Sequence, residues 1–250
     1  MECGLTLLAA LLALAVGLSL GLLGGGGSIL TVPIFRYALG MGVKESIGMS
    51  LGVVSLTSLV GALRHWHKGN LDLKALVAFA PAAIVSTFLG AKLAHFVPGT
   101  VQLVAFSLVM VTAASFMWSG PAITAPEGPR PDHPGLHIIV VGAALGLLTG
   151  IVGIGGGFLI VPALVLFLGL DMKRAVGTSL GVIALNAASG FVGYLGQITM
   201  NWTLMAGFTA VAVIGVFAGA ALVPKVSPGQ LRRAFALFLI GVAVYILIRR

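Results

Sequence analysis

Two glycine runs carry the backbone groups that could do chemistry in this chain. Gly24 to Gly27 stand in succession before Ser28, and Gly153, Gly155, Gly156 and Gly157 form a second run. Glycine is a poor helix residue, so each run interrupts a helix. A helix that restarts after the interruption, near Ser28 or Gly157, presents N–H groups without intrahelical partners. Those groups and the positive end of the helix dipole attract an anion. At Gly25, Gly26, Gly27, Gly155 and Gly156 no Cβ keeps a solute from the backbone. Hydroxyls that can donate to the same anion follow at Ser50, Thr178 and Ser179, in GMSLG and GTSLG. Asn186 adds a lone amide in an apolar stretch, with Thr57 at the corresponding place. A second reading competes with each of these. Glycines let helices pack closely, serine and threonine bond their own helix backbone, and a lone amide can glue helices together.

The elements that must hold these groups are apolar. Of 250 residues, 59% are hydrophobic and 8% charged, against about 25% charged in a soluble domain. Several apolar blocks approach the ~20 residues of a membrane-spanning helix. The alternating ten-residue strands of a β-barrel are missing. The chain reads as an all-α polytopic membrane protein. Its net charge of +8 is scattered one to three residues at a time through the connections, as juxtamembrane anchors are and nucleic-acid surfaces are not. The N-terminal run lacks the basic start of a signal peptide and is read as part of the mature fold.

Other chemistries find no footing. The lone Cys3 leaves no internal disulfide and no cysteine metal cluster. His65 and His67 diverge on a helix around Trp66, which suits a membrane interface better than a metal site. No metal or cofactor is expected. There is no HExxH, no GxSxG and no P-loop lysine, so no enzyme is expected. Glu45, Asp72, Glu127, Asp132 and Asp171 all fall in connections or at helix ends, which argues against a carboxylate proton relay.

Pro33 and Pro162 are 129 residues apart, and at that offset much of the chain falls into register. Gly24, Gly26 and Gly27 meet Gly153, Gly155 and Gly156. Gly40 meets Gly169, Lys44 meets Lys173, and Gly48, Ser50, Leu51 and Gly52 meet Gly177, Ser179, Leu180 and Gly181. This is an internal repeat. It divides the chain into a first transmembrane repeat, 1–118, a Pro-rich linker, 119–136, and a second repeat, 137–250. Each half holds a glycine-broken first element, with Pro33 and Pro162 as further helix breaks, followed by three apolar helices. The broken element is either one interrupted span or a re-entrant hairpin. The first gives parallel repeats and the second gives inverted ones. Lys and Arg divide eight to six between the two sides in the first scheme and nine to five in the second, so the positive-inside rule favours inverted repeats. Paired, glycine-interrupted short segments are a sequence pointer to a transporter binding site.

GLLGGGGSILTVPIF and GIVGIGGGFLIVPALVLFLG, each followed by a GxSLG motif, resemble the TauE/SafE family of membrane permeases over nearly the whole chain. The resemblance implies a permease for sulfite or an organosulfonate such as sulfoacetate, with export the better-known direction. It gives Gly24–Ser28, Gly153–Gly157, Ser50, Thr178 and Ser179 the central roles. Met49 stands where the second half has Thr178, so the halves are expected to contribute unequally. The expectation is a secondary transporter of a small oxyanion in a prokaryotic plasma membrane, working by alternating access at a midplane site. Its partners would be the anionic solute, the lipid bilayer, a coupling proton or ion, and a second copy of the chain as a homodimer. A passive anion channel and a structural membrane subunit are the rival readings. Arg36, after the first short segment, either attracts the anion or reaches to the interface.

Overall fold

The computed structural model describes residues 2–23, 25, 27–119, 136–153, 157–222 and 228–249. Among them are ten α-helices: α1 (Glu2–Leu23), α2 (Ser28–Pro33), α3 (Val43–His67), α4 (Leu73–Leu93), α5 (Gly99–Ser119), α6 (Leu136–Val152), α7 (Gly157–Leu168), α8 (Met172–Tyr194), α9 (Trp202–Leu222) and α10 (Pro228–Arg249). A π-helical turn, Ile34–Ala38, extends α2. Gly24, Gly26, Gly155, Gly156 and the linker over 120–135 lie outside the described residues.

Acidic and amide side chains sit at helix ends because they cap them. Asp72 accepts from Ala75 N at 3.0 Å, Asp171 from Arg174 N at 3.1 Å and Asn201 from Leu204 N at 3.0 Å, at the starts of α4, α8 and α9. Helices α3, α4, α8 and α9 are long and apolar enough to cross a membrane. Within those spans 72% of α3 and 67% of α8 is buried, against 33% of α4 and 39% of α9, so α3 and α8 form the centre. The outer faces of α4 and α9 expose Val77, Val85, Leu89, Ile214 and Phe217. An apolar exterior around a protein-filled centre is what a hydrocarbon solvent selects.

Contacts fix the helix directions. Leu51 lies against Gly190 and Leu180 against Gly61, and Ser55 Oγ donates to Ala184 O at 3.1 Å, so α3 and α8 cross antiparallel. Thr199 Oγ1 donates to Glu45 at 3.0 Å and Arg64 to Phe217 O at 3.3 Å, so α9 runs parallel to α3. Gly17 faces the Ala212 carbonyl and Gly21 that of Val216, which makes α1 parallel to α9. Gly146 faces the Ala83 carbonyl and Gly150 that of Thr87, which makes α6 parallel to α4. Ser189 Oγ donates to Ile84 O at 2.8 Å and Gly193 lies against Ala91, so α4 is also parallel to α8. Contacts thus recur in pairs at the 129-residue spacing that separates Ser55 from Ala184.

Since α1 and α3 run the same way, the short α2 between them must return. It does: a Cβ on Gly27 would lie 2.5 Å from Val16 O and 2.6 Å from Leu20 N, and Leu39 to Met41 come level with Ala9. By the same reasoning α7 returns between the parallel α6 and α8. Both glycine-broken elements are therefore helical hairpins. The two prolines behave differently. Pro33 ends α2, and the π turn follows where its missing N–H would have bonded Ile29. Pro162 does not break its helix, because α7 is continuous from Gly157 to Leu168. The carbonyl it leaves unbonded is that of Phe158, in the first turn.

Candidate functional site

The antiparallel crossing of α3 and α8 separates residues that the sequence groups together. Ser50 Oγ faces Gly153 O at 3.4 Å, so the first GxSLG motif meets the second glycine break. Gly153 takes a left-handed φ of 77°, and a Cβ there would lie 2.5 Å from Ile47. Only glycine permits both this turn and this approach. Thr178 and Ser179 stand at the other end of the crossing, beside Leu180, which packs on Gly61. From the level of Ser50 to that of Gly61 is about 16 Å at 1.5 Å per residue. The tip of the α1–α2 hairpin lies at this far end too, because Gly21 packs at Val216, next to the Phe217 that Arg64 contacts. The site is thus split into two ends, with the α3–α8 crossing between them.

The polar groups at the two ends are engaged to different degrees. Ser28 Oγ donates to Gly25 O and Ser179 Oγ to Val176 O, each at 2.8 Å, the backbone bonding that competes with a ligand role. Gly27 is explained by its close packing on α1. Thr178 Oγ1 accepts from Asp72 N at 2.9 Å, which ties the α3–α4 turn to α8. Met49 offers no such acceptor at the other end. Thr178→Val removes this tie, and a lost neutral hydrogen bond is worth about 1 kcal/mol. We expect a melting temperature lower by about 2–4 °C in detergent and faster proteolysis of the 68–72 turn. Unchanged melting and cleavage would show that the tie does not hold that end.

Asn186 is fully buried, and neither its Oδ1 nor its Nδ2 has a protein partner. One turn further along α8, Gly190 packs against both Leu51 of α3 and Thr87 of α4, which places Asn186 near the meeting of these three helices. Thr57 instead donates to Val53 O at 2.8 Å. Arg36 is half buried on the π turn. One guanidinium N–H donates to Met41 O at 2.8 Å, while its buried Nε has no partner. Met41, Glu45, Asn201 and Leu204 line an open depression of about 480 Å³ at this end of the molecule. Ile198, Met200 and Tyr194 pack together against Gly48.

A helical core with lipid-facing flanks, returning hairpins and unpaired polar groups at its centre defines a multi-pass membrane protein. Comparison with known proteins gives its kind. The model of the family described as sulfite exporter TauE/SafE matches residues 9–246, and the chain belongs to that family of membrane transporters, which are not enzymes. It is 32% identical over 243 residues to a probable membrane transporter protein of Xylella fastidiosa, covering 94% of this chain and 92% of that one. It is 29% identical to one of Methanocaldococcus jannaschii, over 88% and 89% of the two chains, and 27% identical to one of Bacillus subtilis, over 84% and 89%. No solved structure matches.

Proposed function

We propose that this chain is a secondary transporter of a small oxyanion, sulfite or an organosulfonate, in a prokaryotic plasma membrane. The solute would pass between the two hairpin tips by way of Asn186. That residue carries the reading. A fully buried amide with four unmet hydrogen-bonding sites costs roughly 1–3 kcal/mol per unmade bond, and it persists where a solute supplies the partners. The paired contacts at 129 residues support two homologous halves, and the antiparallel α3 and α8 support their inversion. Under that topology the basic ends of α3 and α8, with Arg64, Lys68, Lys173 and Arg174, face the cytoplasm. The depression at Glu45 then opens outward, with Arg36 near it as an anion attractant. Alternating access follows from one hairpin-bearing half rocking on the other.

Counterflow in proteoliposomes tests this. Vesicles loaded with unlabelled sulfite should accumulate labelled sulfite saturably, with sulfoacetate competing and acetate not. A flux that never saturates would make the protein a passive pore. No exchange of any oxyanion would remove the substrate class.

A further inference from the structure

At the second glycine break, three side chains from three helices meet the end of α6, and two of them are residues whose chemistry the sequence does not single out. Gln102, on α5, is 1% exposed. Its Nε2 donates to Ile151 O at 3.2 Å and to Ala94 O at 3.3 Å. Tyr194, at the end of α8, is also 1% exposed, and its hydroxyl lies beside Gln102. Neither Tyr194 Oη nor Gln102 Oε1 has a well-formed hydrogen bond. Ser50 completes the set from α3, across the Gly153 carbonyl. Ile151 and Gly153 are two residues apart, so all three polar groups surround one turn of chain.

The chemistry of the set is asymmetric. The Gln102 amide nitrogen faces two carbonyls, Ile151 and Ala94, that would repel an oxygen, so the amide cannot be turned round and Oε1 is the acceptor left over. Tyr194 brings a hydroxyl that can donate, and Ser50 brings one that donates over a long 3.4 Å to Gly153 O and can turn from it to the solute. A fully deprotonated anion offers only acceptors and would repel Oε1. A singly protonated oxyanion offers both, accepting from the hydroxyls while its own proton is donated to Oε1. We propose that Tyr194, Gln102 and Ser50 form a recognition station at this break for a small oxyanion that still carries a proton, such as hydrogen sulfite. The proposal rests on the oxyanion reading above. It also gives the proton a route, because it rides on the solute and needs no carboxylate relay inside the membrane. All three residues are buried, so the station is closed to solvent in this conformation.

The test is sulfite counterflow with the full-length protein, comparing wild type with Tyr194→Phe and Gln102→Glu, and methanesulfonate as the competitor that carries no proton near neutrality. Tyr194→Phe removes one oxygen and keeps the ring. Its sulfite KM should rise about tenfold, the loss of one hydrogen bond to a charged group, with the maximal rate and the melting temperature little changed. Gln102→Glu should raise KM further by placing a negative charge against the anion. Methanesulfonate should compete with wild type at least tenfold more weakly than sulfite itself. A Tyr194→Phe KM within about twofold of wild type, or methanesulfonate competing as well as sulfite, would overturn the station and leave the transporter reading intact. Absence of saturable exchange by wild type would overturn both.

Discussion

Gly150→Ala and Gly17→Ala will fail to accumulate as folded protein, while Gly207→Ala and Gly241→Ala will be made normally. All four glycines are helical, and in a helix alanine is favoured by roughly 0.5–1 kcal/mol. The difference lies in what a Cβ would meet. At Gly207 and Gly241 there is nothing within 4 Å. At Gly150 the new carbon would overlap the Thr87 carbonyl and come within 2.7 Å of Ala91 N. At Gly17 it would overlap the Ala212 carbonyl and come within 2.9 Å of Gly215 Cα. These neighbours are helix backbone and cannot rotate aside, so the helices must part. Overpacking costs about 1–3 kcal/mol where side chains can adjust, and more is expected here. Separation of α4 from α6 also loses contacts along the whole helix pair. Size-exclusion profiles and melting of the four variants in detergent decide it. A Gly150→Ala protein that melts within a degree of wild type would mean that α4 and α6 do not approach as closely as described.

Those glycines show where sequence and structure part company. Gly17 and Gly21, and Gly146 and Gly150, are spaced four apart, the small-residue pattern of close helix packing. In the sequence the eye goes to the denser runs at Gly24 and Gly153, yet among the described residues the two closest approaches are at Gly17 and Gly150, in these quieter pairs. The runs themselves are legible as chain breaks because four adjacent glycines have no packing explanation by spacing alone. Their hairpin form is one of two readings the sequence leaves open, and the Lys and Arg count leans toward it. It depends on α1 and α9 being parallel, a contact between residues nearly 200 apart in the chain. The site suffers from the same long-range geometry. Ser50 and Ser179 are equivalent in sequence, and an antiparallel crossing places equivalent residues at opposite ends. Tyr194 and Gln102 carry no signal at all in the repeat, since their counterparts at the 129-residue offset are His65 and Leu231. Asn186 stood out in the sequence because polarity inside an apolar helix is visible without any knowledge of the fold.

Asn186→Leu should make the protein more stable and nearly inactive, and this pairing of opposite signs separates its two roles. Leucine keeps the branched skeleton of asparagine, so no cavity follows, although its bulkier methyls offset part of the gain by crowding their neighbours. Burying an amide without partners costs about 1–3 kcal/mol, and an apolar replacement of the same shape recovers that penalty. For a chain of this length 1 kcal/mol moves the melting temperature by about 2–4 °C, so a rise of several degrees is expected. Transport should fall at least tenfold if the amide supplies one charge-assisted hydrogen bond to the solute. Helix glue predicts the reverse: an amide bonded between α8 and its neighbours would be missed on removal, and melting would drop while flux per folded molecule stayed normal. Both quantities come from one preparation, melting in detergent and counterflow after reconstitution, normalised to folded protein. A stabilised but inactive variant fits a residue kept for the solute at the expense of the fold, as functional sites commonly are. A destabilised and active one would move the solute path away from Asn186 and leave that residue as packing.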